Sequence, residues 1–189
     1  MLSDKLDNNL NYSLPDTKIS EDKKWYVVLT RTHAEYKVRE YLSLLNIENF
    51  LPIQSKIIEK KGKTAEKEHL VLPRMVFVHI SREEMQTVRN TMNVFDFLRD
   101  RSRSAPTSVP PKQMADFRYM LDYSRKEVIV TGERIPAGTP VVVAKGDLKG
   151  LQGELVRYEG KYHILVRIDI FGCALVSIPA SFVKKEKEN

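Results

Sequence analysis

The stretch from Thr139 to Pro179 admits very few folds. It contains TPVVVAK, LQGELVRY, YHILVRIDI and CALVSIP, four β-rich pieces joined by GDLKG, EGK and FG. Runs of β-branched residues broken by glycine cannot continue as helix, since each interior glycine costs about 1 kcal/mol relative to alanine. Connections this short join antiparallel neighbours as hairpins. Such strands curl into a small five-stranded β-barrel, placed at residues 139–185.

Gly146, Gly150 and Gly153 raise a second reading, a phosphate-binding loop. A Walker loop needs four residues between its glycines, followed by Lys and Ser or Thr at the start of a helix. Here three residues separate Gly146 from Gly150, Leu151 and Gln152 follow, and GELVRY has no helical period. The glycines read as bends, with positive φ at Gly146 and Gly150 and a bulge or close strand approach at Gly153.

Upstream the hydrophobic period alternates between two and 3.6. KWYVVLT (24–30) reads as a strand. THAEYKVREYLSLLN sets Ala34, Val38, Tyr41, Leu42 and Leu45 on one helical face, with Thr32 and Glu35 as a capping box. NFLPIQSKIIEKK and the arm ending in RMVFVHI read as strands about a basic hairpin tip at Gly62. Ser81 and Glu84 form a second capping box, opening a helix with Met85, Val88 and Met92 at helical spacing. VFDFL is a further strand, and Pro111 opens a third helix with Met114, Phe117 and Leu121 on its face. The order β-α-β-β-α-β-α predicts an α+β fold, a ferredoxin-like split βαβ domain plus one helix, over 24–123. Residues 1–23 read as a flexible leader, 124–138 as a linker and 186–189 as a solvated tail.

The net charge of +6 is uneven. Residues 1–23 carry three Lys against five Asp and Glu, whereas 24–123 carry seventeen basic side chains against twelve acidic ones. A basic body suits contact with a polyanion, most often nucleic acid, and solvated charge kept for solubility gives the same balance. No apolar run approaches the ~20 residues of a membrane helix, and the polar, acidic start does not fit a signal peptide. Cys173 stands alone, so neither a disulfide framework nor a multi-cysteine zinc site can form. His33, His69, His79 and His163 are scattered, with no carboxylate or cysteine at ligand spacing. The expectation is a cytoplasmic monomer without membrane, metal, cofactor or enzymatic activity.

VVVAKGDLKGLQGELVRYEG resembles the KOW motif, and the IFG at 170–172 is similar to a further feature of the same module in the NusG family. KWYVV at 24–28, the helix after it, FLP at 50–52, the basic hairpin with Gly62 and LPRMVFV at 72–78 resemble that family's NGN domain. Both signatures occur in the family's order. The compact first domain and the hairpin KIIEKKGKT look most like the specialised paralogues, RfaH and the capsule-locus antiterminators of UpxY type.

The resemblance implies a transcription elongation or antitermination factor. It would bind RNA polymerase across the DNA cleft and suppress pausing or termination, of a specific operon such as one for capsular polysaccharide synthesis. Housekeeping NusG and a KOW-containing ribosome-associated RNA-binding protein are the alternatives. Carried over residue by residue, Leu72, Met75, Phe77, Met114 and Phe117 face the clamp of the largest subunit, although their pattern equally fits core. LPRM stands where the family has Phe-Pro-Gly/Asn-Tyr, so the aromatic pair is lost. Gln86 and Thr87 occupy the place of a His-Thr-Thr contact to the second-largest subunit. Arg31, Lys37 and Tyr41, with Lys60, Lys61 and Lys63 of the hairpin tip, would touch non-template DNA or nascent RNA. Ordinary helix surface and a solvated tip are the plain alternatives. Ile170, Phe171 and Gly172 would bind a small-subunit ribosomal protein or Rho. Strand period and turn glycines further predict a barrel that stays β, joined by a mobile linker and leaving the polymerase-binding face uncovered.

Overall fold

The computed structural model describes residues 23–60, 63–100 and 104–186. The leader therefore lies outside the described residues apart from Lys23, as do Lys61 and Gly62 of the hairpin tip and most of the tail.

Strand β1 (Lys24–Thr30) leads into helix α1 (Glu35–Leu44) and strand β2 (Glu48–Phe50). A long hairpin follows, β3 (Ile53–Lys60) and β4 (Lys63–Leu70), paired from Ile53↔Leu70 to Lys60↔Lys63. Then come β5 (Met75–Ile80), α2 (Glu84–Arg89), β6 (Val94–Phe97) and α3 (Pro111–Tyr123). The sheet order β2-β5-β1-β6, antiparallel throughout, is that of the split βαβ arrangement. Successive side chains of a strand point to opposite faces, and both faces of this sheet are covered. Tyr26, Val28, Val76, Val78 and Ile80 pack with Val38 and Leu42 of α1 and Val88 of α2. Trp25, Val27 and Phe77 pack with Met114, Phe117, Met120 and Leu121 of α3.

The helix starts differ from the sequence expectation in one of two cases. At α2 the capping box forms: Ser81 N–H donates to Glu84 Oε2 at 2.9 Å and Glu84 N–H to Ser81 Oγ at 3.4 Å. At α1 it does not, because Ala34 is the N-cap and Glu35 turns its carboxylate to the backbone N–H of Arg74, 2.8 Å away. Tyr41, Leu45 and Met92 also leave the buried faces expected of them, being 38%, 49% and 64% exposed. α1 ends at Leu44 and α2 at Arg89, so neither Leu45 nor Met92 belongs to the helix whose period it continues.

The C-terminal part is a sheet of β7 (Val128–Thr131), β8 (Thr139–Val143), β9 (Gln152–Tyr158), β10 (Lys161–Ile168), β11 (Gly172–Ser177) and β12 (Val183–Lys185). Its order is β12-β8-β9-β10-β11-β7, all antiparallel. It has six strands where five were expected, since β7 arises within the segment read as linker and pairs with β11. The rest of that segment is also fastened. Arg167 makes a bidentate pair with Glu154 (2.6 and 2.8 Å) and donates to the carbonyls of Ile135 and Pro136, while Gly138 N–H donates to Glu154 Oε2. The Arg167 guanidinium, helped by that N–H, holds the Glu154 carboxyl below its ordinary pKa against the opposing effect of burial.

Gly146 and Gly150 take φ of +84° and +95° in the loop between β8 and β9, as turn glycines should. Gly153 permits a close strand approach, because a Cβ there would lie 2.5 Å from the Leu165 carbonyl oxygen.

Two outcomes are expected. Gly153→Ala forces β9 from β10 and should lower the urea-unfolding free energy by about 1–3 kcal/mol, the usual range for overpacking, with the m-value unchanged. Glu154→Gln should lower the unfolding midpoint at neutral pH. Because the folded pKa of Glu154 is depressed, its contribution is complete above the unfolded value of about 4.3 and is lost as pH falls through the folded one. The difference between the two proteins should therefore close on acidification below about pH 4.

Candidate functional site

The face of the first sheet that carries α3 gathers all five residues expected at the clamp. Phe77 of β5 and Met114 and Phe117 of α3 are buried, with 1% exposure or less, while Leu72 and Met75 are half-buried at the edge of the same cluster. The turn bearing Leu72 and Met75 is set by Arg74, whose φ is +66°. Its N–H is taken by the buried carboxylate of Glu35, its Nε donates to Thr30 O at 3.3 Å, and its carbonyl accepts from Thr30 N–H at 2.9 Å. Sequence spacing made Glu35 a helix cap, so its part in shaping this turn was hidden.

The face is not open. The loop between β10 and β11 lays Phe171 on it edge-on, with ring centroids 6.1 Å from Phe77 and 6.0 Å from Phe117. Such geometry is favourable for aromatic pairs. Ile170 packs on the same cluster, which runs without a break from Trp25 and Val27 to Ile164, Val166 and Val176 of the second sheet. Two sets of residues expected to bind different partners thus bind each other. The expectation of an uncovered face fails here, and the reason is physical. A loop-tip Phe and an incompletely covered Phe77–Phe117 pair both lose apolar exposure by meeting. Gly172 makes the loop possible: its φ is +127°, and a Cβ would collide with the Thr131 carbonyl of β7.

Polar bonds flank the contact. Gln113 Nε2 donates to Asp169 Oδ2 at 2.8 Å while Asp169 N–H donates back to Gln113 Oε1 at 3.1 Å. Tyr119 O–H donates to Lys149 O at 2.9 Å. Gln54 of β3, 4% exposed, donates to the carbonyls of Ser124 and Lys126 and accepts from Val128 N–H at 2.9 Å. It secures the passage from α3 to β7. A lone Gln in a strand carries no sequence signal for that role.

The other expected residues lie on the opposite layer. Arg31, Lys37 and Tyr41 are exposed on and before α1, and Gln86 and Thr87 on α2. Tyr41 and Thr87, expected to touch different partners, line one groove of 320 Å3 with Leu44, Leu45, Asn90, Thr91 and Met92. Tyr41 O–H points at Met92 Sδ, 3.5 Å away, and Gln86 Nε2 donates to Asn90 Oδ1. Lys60 and Lys63 form the last registered pair of the β3–β4 hairpin, while Lys61 lies outside the described residues.

Among the described residues no group of three or more His, Cys, Asp and Glu is placed to hold a metal ion. Cys173 is 2% exposed, and burial pushes its thiol pKa up, away from the reactive thiolate. No helix among the described residues is long and apolar enough to cross a membrane.

Comparison with known proteins bears on the first unit. Residues 23–118 match the family model described as "Transcription termination factor nusG". No curated protein matches the chain. Among solved structures, Thermotoga maritima NusG, described under domain interaction, is 22% identical over 87% of this chain and 98% of its own, at a TM-score of 0.47. The MjSpt4:Spt5 complex in conformation B is 14% identical, with 87% and 99% coverage and a TM-score of 0.31. The match to the family model spans just over half of the residues, from β1 into α3, and the chain belongs to the NusG family of transcription factors.

Proposed function

We propose that this protein is a transcription elongation and antitermination factor that docks the α3 face of its first unit on RNA polymerase. One observation carries the reading. Phe77, Met114 and Phe117 form an apolar face whose cover is Ile170 and Phe171 of one loop, with β10 behind them, from a separate sheet rather than a further layer of the same unit. A face closed this way can be opened without unfolding either unit. The two sheets share no strand pairing and meet through α3 and the β10–β11 loop, and aromatic pairs contribute only about 0.5–1.5 kcal/mol beyond area burial.

On this reading the docked arrangement is the resting form. Polymerase takes the face when Phe171 leaves it, and holding the clamp disfavours pausing or termination. Arg31, Lys37 and Tyr41 then lie toward non-template DNA or nascent RNA, with Gln86 and Thr87 toward the second-largest subunit. Lys and Arg contacts to phosphate are salt-sensitive and carry no sequence information, so binding of free protein to duplex DNA is weak. The C-terminal sheet resembles a KOW module. Once undocked, its Ile170 and Phe171 are free for a ribosomal protein or Rho. A masked face restricts engagement to complexes that draw the units apart, which suits a factor dedicated to one operon, such as a capsular polysaccharide locus, better than a housekeeping one.

Apparent affinity for polymerase equals the intrinsic affinity reduced by the fraction of molecules that are open. Phe171→Asp should raise that fraction, tightening binding of the full chain by about tenfold for each 1.4 kcal/mol of docking removed. Met75→Glu, half-buried at the rim of the face, should weaken it. Binding to purified core polymerase by biolayer interferometry, with urea midpoints as a check on folding, separates the outcomes. Unaltered affinity in both folded variants would place the polymerase contact elsewhere.

A further inference from the structure

A pocket of 180 Å3 lies where the chain leaves α3 for the second sheet, lined by residues 124–126, by the β8–β9 loop and by the end of β11 with the turn after it. It is below the roughly 300–1,000 Å3 of pockets that enclose a drug-sized ligand, so it has room for one ring system. Its floor is apolar: Leu148, Val176 and Ile178 are buried, and Phe182 is half-buried beside them. Gly146 brings the loop backbone against the Phe182 ring, since a Cβ there would lie 2.9 Å from a ring carbon.

The rim is basic. Arg125, Lys126 and Lys145 line it against one carboxylate, that of Asp147. Lys126 is engaged by the Ser177 carbonyl, to which its Nζ donates at 3.1 Å. Arg125 Nε stands 3.8 Å from Asp147 Oδ1, too far for a hydrogen bond, and its side chain is 88% exposed. Lys145 is exposed as well. The other acidic groups of this region, Glu66, Asp122 and Glu127, border a neighbouring cleft that residues 124–126 also line.

An apolar floor beneath two exposed cations selects a ligand that is flat and apolar at one end and anionic at the other. A ligand carboxylate would meet Asp147 already beside Arg125. A phosphate monoester carries about −1.5 to −2 charges at neutral pH and outweighs that competitor. Lysine binds phosphate as a point charge, and the arginine fork matches its oxygens in pairs. An aromatic ring such as that of Phe182 stacks on a nucleobase whatever the base.

We propose that this pocket binds a nucleoside monophosphate, free or as the phosphorylated end of a strand, with the base against Phe182 and the phosphate between Lys145 and Arg125. The pocket draws on both units. Gln54 of β3 holds the carbonyls of Ser124 and Lys126, and Tyr119 of α3 holds that of Lys149 in the same β8–β9 loop. A bound nucleotide therefore braces the docked arrangement and opposes polymerase, which requires the units apart. That consequence rests on the function proposed above, whereas binding itself rests only on the pocket.

The test follows backbone amide resonances of the full chain, labelled with nitrogen-15, during titration with adenosine monophosphate. Those of Gly146 and Leu148 should move saturably while that of Lys37, on α1, stays in place. Lys145→Glu should weaken binding by about fivefold, as the loss and reversal of one exposed charge contact allow. Adenosine and inorganic phosphate should each bind more weakly than the nucleotide. A Gly146 resonance that the nucleotide leaves unmoved, or unchanged affinity in folded Lys145→Glu, overturns the proposal. So does inorganic phosphate or tetraglutamate binding as tightly as the nucleotide, since either marks a general anion patch. Oligoadenylate separates the two sources: a strand that binds only when 5′-phosphorylated supports a strand end, and a nucleotide that binds where neither strand does supports the free ligand. An unphosphorylated strand that matches the phosphorylated one overturns the role of the monoester. If saturating nucleotide leaves polymerase affinity unaltered, the site stands and its link to docking falls.

Discussion

β5 has to be covered twice. From Met75 to Ile80 every residue but His79 is apolar, and in a strand that places Met75 and Phe77 on one face and Val76, Val78 and Ile80 on the other. α1 and α2 close the second face by Val38, Leu42 and Val88. The first face receives α3 alone, and one helix is narrower than a four-stranded sheet. Phe171 occupies what α3 leaves, so the core of the first unit continues into the second. The placement of the C-terminal sheet and the masking of the candidate site depend on that shortfall.

Apolar contact does not fix the register of one unit on another, because it is non-directional. Polar groups do. Gln54 is buried with all three of its bonds directed to the segment that joins the units, and leaving Val128 N–H unpaired there would cost about 1–3 kcal/mol. The Gln113–Asp169 pair and the Tyr119–Lys149 bond lie at more exposed positions, where a net bond is worth about 0.5–1.5 kcal/mol. The junction thus has a firmly held root at Gln54 and a rim that separates more readily.

Much of this was legible in the residues. The alternation of strands and helices from KWYVVLT to the third helix came from hydrophobic period, but NFLPIQSKIIEKK and the returning arm, each read as one strand, break into β2 with β3 and β4 with β5, and the hairpin β3–β4 forms a sheet of its own. Ser81 and Glu84 were read correctly as a capping box, yet Thr32 and Glu35 carry the same spacing and do not form one. The difference is tertiary: Glu35 meets the N–H of Arg74, thirty-nine residues on, and a local pattern cannot register a partner that far away. Residues 128–131 read as linker for a similar reason. VIVT is strand-like, but only the edge of β11 makes it a strand. Leu45 and Met92 show the opposite failure, since a helical period states which residues align and not where the helix stops.

The site residues divide along the same line. Periodicity could not say whether Phe77, Met114 and Phe117 were core or surface, and the structure shows them as core. They are core with Phe171 on them, and on the proposed reading become surface when it leaves. On the proposed reading, a ligand for either side of that contact draws on one equilibrium, because polymerase on the α3 face and a partner on Ile170 and Phe171 both require the units apart. Linkage then makes the two mutually reinforcing: whatever factor one adds to the affinity of the other is returned in full. No signal need pass through the fold. Two apolar surfaces that satisfy each other in the free protein are sufficient, and the coupling can be no larger than the free energy with which they dock.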